Sequence, residues 1–180
     1  YIRNGVSKSK WNYLPGLAAG GAEYQNIFGQ ISIPGVSKNE LDFLNRVPGI
    51  IKVLLSKEIN KVLGPISDSA LNQIVHKSIL DTKLSPTINM NHIFTHLEVL
   101  SQRRNIQQSV YEIMELILKE AKDQGLENSF YLHIAPSLGK KDGKEILKLS
   151  STKDIGTTDI QFMLKGAIKE SGLLVLINKY

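Results

Sequence analysis

The spacing of apolar residues along this chain changes once, near residue 125, and this change restricts the folds that the chain can adopt. Before it, over residues 37–124, apolar residues recur at intervals of three and four, as they do on one face of a helix. After it, Phe130, Leu132 and Ile134 follow the period of two that a strand with one buried face requires. We therefore predict an α+β fold, with a helical first half and a small sheet late in the chain.

The first half is predicted to contain three helices before residue 81. Ser37 and Glu40 form a capping box, in which a hydroxyl and a carboxylate each bond an unpaired N–H of the first turn. Pro48 is expected to end this helix or to begin the next, because proline cannot donate a helical hydrogen bond. The expected helices cover residues 37–47, 49–63 and 68–80.

Residues 91–124 contain neither glycine nor proline, so nothing in their composition stops a helix. A single helix of that length would be long for a globular domain, in which helices average about 10–14 residues. We therefore expect two helices separated near Asn105, with Gly125 ending the second.

The end of the chain is predicted to be a helix–strand–strand–helix–strand unit, whose first helix is the one that ends at Gly125. Its first two strands are joined at Asp142-Gly143, a dipeptide that favours tight hairpin turns. Thr158, with a glutamine three residues later, predicts the start of the last helix. The strands are expected over residues 130–134, 145–150 and 173–177.

We expect one α+β domain over residues 37–180, helical over 37–124 and mixed over 125–180. Residues 1–36 hold six glycines and two prolines, which interrupt regular structure, so we interpret them as a glycine- and aromatic-rich arm or linker. The chain begins with Tyr1 rather than methionine, and we expect it to be a module of a larger protein.

Composition excludes several kinds of function. The chain has no cysteine, which rules out disulfides, thiolate metal ligands and cysteine nucleophiles. No apolar run approaches the roughly 18–20 residues of a membrane-spanning helix, so no span is expected. The formal net charge of +5 favours contact with polyanions such as nucleic acid. None of this identifies a compartment, and no cofactor is predicted.

Histidines supply the candidate catalytic residues, because imidazole titrates near neutral pH, at about 6.5. His133 is expected on the strand face opposite the apolar residues, where it lines a groove if that face is open and packs in the core if a helix covers it. His92 and His96 lie four residues apart, on one flank of a helix. No metal site is predicted, because the spacing supplies no third ligand.

Basic residues near the predicted hairpin turn are the candidate phosphate contacts. The loop is not a nucleotide-binding loop, because only three residues separate Gly139 from Gly143 and Glu145 follows the lysine. A solvated hairpin tip is the alternative interpretation, since lysine is usually exposed. The candidates are Lys140, Lys141 and Lys144, with Arg103 near the histidines.

Two functions fit these candidates. The first is a metal-independent endoribonuclease, a toxin- or effector-like module. In it His133 and either His92 or His96 act as base and acid, while Lys144, Lys148 or Arg103 stabilises charge on the phosphate. The second is a non-catalytic module that binds nucleic acid or a protein partner through the basic loop. The sequence does not decide between them.

Overall fold

The computed structural model describes residues 16–18, 23–26, 30–80 and 83–166, and the single positions 174 and 177. The helices are α1 (Lys38–Leu63), α2 (Asp68–Ser78), α3 (Asn91–Phe94) and α4 (Leu100–Asp123). The strands are β1 (Gly16–Ala18), β2 (Glu23–Gln25), β3 (Ile31–Ser32), β4 (Ile79–Leu80), β5 (Thr87–Asn89), β6 (Phe130–Ala135), β7 (Ser137–Lys141), β8 (Lys144–Leu147) and β9 (Asp159–Leu164).

These elements confirm the predicted α+β class, with helices in the first half and a small antiparallel sheet built mainly from later strands. The main sheet has four strands in the order β4-β5-β9-β6. Strands β1, β2 and β3 form a second sheet, and β7 and β8 form a hairpin. Among the described residues, no helix combines the length and apolar character needed to cross a membrane.

Helix α1 begins as predicted but does not stop at Pro48. The Ser37 N–H donates to the Glu40 carboxylate at 2.6 Å, and the Glu40 N–H donates to the Ser37 hydroxyl at 3.3 Å. Separate helices on either side of Pro48 were the wrong prediction, because Pro48 lies inside a single helix of 26 residues. The buried stripe continues in phase from Val47 to Ile51, so packing maintains the helix past the missing hydrogen bond.

The break between the helices of residues 91–124 lies at residues 95–99, and not near Asn105 as predicted. The Thr95 hydroxyl donates to the His92 carbonyl at 2.7 Å, which closes the short helix α3. Val99 is extended, and its N–H donates to the Gln102 side chain at 3.2 Å at the start of α4. Side-chain hydrogen bonds to the backbone therefore interrupt this segment without glycine or proline.

Strand β9 occupies the segment where a helix was predicted to begin at Thr158. Ile160, Phe162 and Leu164 are buried on one face, and the strand lies between β5 and β6. The apolar residues from Ile160 onward fit both periods, and hydrogen bonding to two neighbouring strands selects the extended form. The predicted strand over 173–177 lies outside the described residues, except that positions 174 and 177 are helical.

One face of the main sheet packs against α1 and α4 to form the core. Phe43 of α1 lies with its ring centroid 5.4 Å from that of Phe130 and 6.0 Å from that of Phe162. The Phe130 and Phe162 centroids are 4.8 Å apart on adjacent strands. The opposite face carries the polar residues of the alternation and is only half-buried.

The predicted turn at Asp142-Gly143 is confirmed. Asp142 has φ 51° and Gly143 has φ 79°, the pair of positive values that a two-residue hairpin turn of the mirror-image type needs. The turn joins Lys141 to Lys144 in the β7–β8 ladder. The basic residues on both sides are therefore held on a hairpin that folds back against α4.

The loop over residues 148–158 is held by a buried glutamine of α4. The Gln107 amide donates to the carbonyls of Ile155 at 3.1 Å and Thr157 at 2.7 Å, and its oxygen accepts the Ser150 N–H at 2.8 Å. Gln107 is fully buried, so these bonds satisfy groups that water cannot reach. The loop therefore holds β9 in register beside β6.

Residues 1–36 are described only in part. The described positions include β1, β2 and β3, and Ile33 and Val36 pack against the core. The division between an arm and a domain at residue 37 remains a prediction.

Candidate functional site

A pocket of about 430 Å³ opens between α4, the edge strand β6 and the β7–β8 hairpin. Sites for small molecules lie in the range of about 300–1,000 Å³. Its apolar lining consists of Leu118, Phe130, Leu132 and Ile134. Its charged lining consists of Glu115, Lys119, Lys122, Glu127, Lys140, Lys144, Glu145 and Lys165, with Tyr111 and Tyr131.

Lysines outnumber glutamates around this pocket by five to three. Lys144 Nζ lies 2.9 Å from a Glu115 carboxylate oxygen, and this hydrogen bond raises the pKa of Lys144. The other four make no ion pair and no side-chain hydrogen bond within the described part of the chain: Lys119, Lys122, Lys140 and Lys165. Four cations are therefore available to an anionic ligand.

Tyr111 adds a hydroxyl to the same pocket. Its Oη lies 3.3 Å from Glu115 Oε1, to which it donates a hydrogen bond. Partial burial raises the pKa of Tyr111, and the nearby charge of Glu115 raises it further. The hydroxyl therefore stays protonated near neutral pH, and its single hydrogen is the one donated to Glu115.

Glu145 joins the pocket to the sheet. Its carboxylate accepts hydrogen bonds from the Ile134 N–H and from His133 Nδ1, which is 3.1 Å from both carboxylate oxygens. Burial alone would raise the pKa of Glu145, but these hydrogen bonds and the charge of His133 and Lys140 hold it below its usual value. Because a carboxylate only accepts, Nδ1 of His133 carries the hydrogen and Nε2 faces away from Glu145.

The edge of β6 offers backbone groups to the pocket. The Lys165 N–H donates to the Ser129 carbonyl at 2.8 Å. Every second residue after Ser129 along β6 therefore forms backbone hydrogen bonds with β9. The intervening residues, Leu132 among them, direct their N–H and C=O groups to the outer edge. Glu145 takes the Ile134 N–H, and the Leu132 N–H lies on the pocket side as a further donor.

The structure brings three of the predicted site residues together. Lys140 and Lys144 line the pocket, and His133 touches it through Glu145. Lys141 lies exposed beside the hairpin turn and does not line the pocket. His133 stands on the half-buried sheet face, which matches the open-groove alternative.

The other predicted site residues lie elsewhere. His92 and His96 have ring centroids 5.1 Å apart and line a groove against α2, where burial and then the charge of Lys77 lower the pKa of His92. Lys148 pairs with Asp154, whose pKa this hydrogen bond lowers. Arg103 donates to the Leu97 carbonyl at 3.3 Å. His92 and His96 therefore line a different groove from the pocket that Lys140 and Lys144 line.

Within the described ranges, no three side chains among histidine, cysteine, aspartate and glutamate are grouped so that they could hold a metal ion. Sequence patterns did not identify Tyr111, Glu115, Lys119 and Lys122, because charged residues on an amphipathic helix ordinarily form its solvated face. The available signal was their spacing of three and four residues, which places them on one flank of the helix. Lys165 carried no local signal.

Comparison with known proteins gave one family and a curated relative. Residues 3–180 match the family described as Glucosylglycerol-phosphate phosphatase. The chain is 42% identical over 170 residues to a Glucosylglycerol-phosphate phosphatase of Synechocystis sp., an alignment that covers 93% of this chain and 40% of that protein. The chain thus spans about two fifths of this relative's length. No solved structure matches the chain significantly.

These matches overturn the predicted nuclease. The expectations of ribonuclease activity, RNA binding and a toxin-like role are wrong, and a nucleic-acid-binding module is equally contradicted. The physical reason is that a lysine ammonium binds the phosphate of a small ester as readily as that of a polynucleotide. Basic residues on a hairpin therefore do not distinguish a nucleic-acid ligand from a small phosphate ester.

Proposed function

The chain belongs to the glucosylglycerol-phosphate phosphatase family, and we propose that it supplies the part of such an enzyme that binds the phosphate-ester substrate. The observation that carries this proposal is the pocket, in which four lysines that form no ion pair among the described residues lie beside apolar side chains. The chain spans about two fifths of its curated relative, and hydrolysis is proposed for a protein of that full length.

The charge of the pocket suits a phosphate monoester. Such a group carries about −1.5 to −2 charges at neutral pH, because its second pKa is near 6. Lys119 and Lys122 approach from α4, while Lys140 approaches from the hairpin and Lys165 from the end of β9. Cations from three separate elements can therefore surround one anion.

One fixed donor complements these flexible lysines. The Leu132 N–H lies at the outer edge of β6, a strand whose backbone is held in place by its ladder with β9. A donor on a rigid element loses little conformational entropy on binding, whereas a lysine side chain loses up to about 2 kcal/mol. This fixed donor therefore helps to define where a phosphate oxygen lies.

This arrangement is useful for phosphate-ester hydrolysis. Charge on the phosphate oxygens must be stabilised as the ester bond breaks, and preorganised cations and N–H donors provide that stabilisation. The apolar residues Leu118, Phe130 and Leu132 in the pocket lining limit the access of water, which strengthens each charge interaction.

Calorimetric titration with glucosylglycerol phosphate tests the proposal. We expect Lys140→Ala and Lys119→Ala each to weaken binding by about 3- to 10-fold, as for the loss of one exposed, charge-assisted contact. Lys153→Ala is the matched control, because Lys153 is exposed on the loop over residues 148–158 and does not line the pocket. Equal affinities for all three variants and the unaltered chain would contradict the proposal.

A further inference from the structure

The second face of the main sheet carries a cluster of polar side chains that the lysine-lined pocket does not use. They are Asn89 of β5, His133 of β6, and Asp159 and Gln161 of β9. All four are half-buried, and the side chain of His133 is 44% exposed. The helices α1 and α4 pack on the other face, and each side chain of this cluster keeps part of its surface exposed.

Strand register arranges these residues in two adjacent rows. Asn89 pairs with Asp159 across β5 and β9. Gln161 pairs with His133 across β9 and β6. Neighbouring strands lie about 4.8 Å apart, so the four side chains occupy an area on the scale of one sugar ring.

Most of these side chains are held in place by hydrogen bonds. Asn89 Oδ1 accepts the Asn91 N–H at 3.0 Å, and its Nδ2 donates to Asp159 Oδ1 at 2.7 Å. Asp159 Oδ2 accepts the Thr158 hydroxyl at 2.8 Å, and Glu145 orients His133. A cluster fixed in this way needs little reorganisation to bind.

Each member of the cluster keeps unused hydrogen-bonding capacity. Among the residues that the structure describes, one N–H of Asn89 and one lone pair on each Asp159 oxygen have no hydrogen-bond partner. Within the described part of the chain, neither the Gln161 amide nor His133 Nε2 has a hydrogen-bond partner. Donors and acceptors therefore alternate across the face, which suits hydroxyl groups because each of these both donates and accepts.

The charge of this face excludes phosphate as its ligand. The cluster contains the carboxylate of Asp159 and no lysine or arginine, so an anion would be repelled there. The lysines lie instead around the pocket, which adjoins this face through Tyr131 and Glu145. The pocket therefore suits an anionic group of a ligand, and this face of the sheet suits a neutral group with several hydroxyls.

We propose that this face of the sheet is a polyol-binding site, in which the Gln161 amide, His133 Nε2 and the Asp159 carboxylate bind neighbouring hydroxyls of a sugar–glycerol ligand. This proposal rests on the proposed function, because its ligand is the organic part, without the phosphate, of the proposed phosphate-ester substrate. Tyr131, at the border with the pocket, offers its ring to the apolar side of the sugar.

Amide-resolved NMR titration of the chain with glucosylglycerol, which has no phosphate, tests this site. We expect shifts at the amides of β5 and β9, and about tenfold weaker binding in Gln161→Leu, as for the loss of a bidentate amide contact. Gln73→Leu makes the same chemical change on the exposed surface of α2 and is expected to bind normally. Asp159→Asn keeps the shape of its side chain and provides a second variant that should also bind more weakly.

A parallel titration with inorganic phosphate separates this proposal from the previous one. Phosphate binding that survives Gln161→Leu, together with lost glucosylglycerol binding, supports both. Normal glucosylglycerol binding by folded Gln161→Leu and Asp159→Asn would overturn the polyol site, even if phosphate still binds at the lysines. Glucosylglycerol binding without any phosphate binding would leave the polyol site standing and refute the proposed phosphate pocket.

Discussion

His133 and Glu145 form a hydrogen-bonded pair that joins the main sheet to the β7–β8 hairpin, with Nδ1 of His133 3.1 Å from both carboxylate oxygens of Glu145. The same carboxylate takes the Ile134 N–H at the edge of β6. One side chain therefore closes part of the sheet edge, orients an imidazole and lines the pocket.

Replacement of Glu145 by glutamine should weaken this junction. Glu145→Gln loses the charge that holds His133 and weakens the bond to the Ile134 N–H, so we expect the free energy of unfolding to fall by about 1–2 kcal/mol. Urea denaturation at pH 7 measures the change. Glu98→Gln, at an exposed position with no hydrogen bond or ion pair among the described residues, should change stability by less than about 0.5 kcal/mol.

Acid should destabilise the chain through Glu145 and Glu40. Both carboxyl groups have a folded-state pKa below the ordinary 4.5, because hydrogen bonds outweigh the effect of burial. Their contribution to the free energy of unfolding is therefore complete above pH 4.5. It is lost as the pH falls through the lower pKa values that the two groups have in the folded state. We expect urea midpoints to decline over that range, and to decline less steeply in Glu145→Gln. Equal slopes for the two proteins would contradict this account.

Gly156 should tolerate no side chain. Its φ is +70°, and a Cβ atom there would lie 2.3 Å from the Lys148 carbonyl oxygen, which belongs to the loop that Gln107 holds. We expect Gly156→Ala to cost about 2–4 kcal/mol in thermal or urea unfolding.

Gly125→Ala is the control for that substitution. Gly125 has a similar φ of +77° but nothing within 4 Å of the added atom, so only backbone strain of about 1–2 kcal/mol is expected. A loss as large as that of Gly156→Ala would show that the backbone angle, and not the close approach to Lys148, determines the cost.

Removal of the Glu115 charge should strengthen phosphate binding. Glu115 pairs with Lys144 at 2.9 Å, so Glu115→Gln frees a fifth lysine and removes a negative charge from the pocket. We expect affinity for inorganic phosphate to rise by about 2- to 5-fold at low salt, as for a partly screened charge. Glu112→Gln makes the same change in net charge on the same helix, away from the pocket, and should have a smaller effect.

Local signals in the sequence predicted several elements correctly. Ser37 and Glu40 begin α1, Asp142-Gly143 turns the hairpin, and the alternation from Phe130 to Ile134 forms β6 with His133 on the opposite face. In each case the interacting groups lie within a few residues of one another, so spacing and residue type suffice.

The same signals failed where the local sequence allowed two structures, either because the apolar spacing fitted both a helix and a strand or because a helix could either end or continue. Pro48 can end a helix or lie inside one, and the buried contacts of Val47 and Ile51 decided for a continuous helix. The residues from Ile160 onward fit either a helix or a strand, and pairing with β5 and β6 decided for β9.

The sequence by itself determined the fold class and the places where several elements begin and turn, and it predicted lysines as candidate phosphate contacts. Only the tertiary structure decided that Lys119, Lys140 and Lys165 surround one pocket, and that Glu145 orients His133. These residues come from α4, the hairpin and the end of β9, and the number of residues between them does not determine how far apart they lie in space. The packing of α4 and the hairpin against the edge of the sheet sets that distance, because burial of the shared apolar core aligns elements that have no local contact.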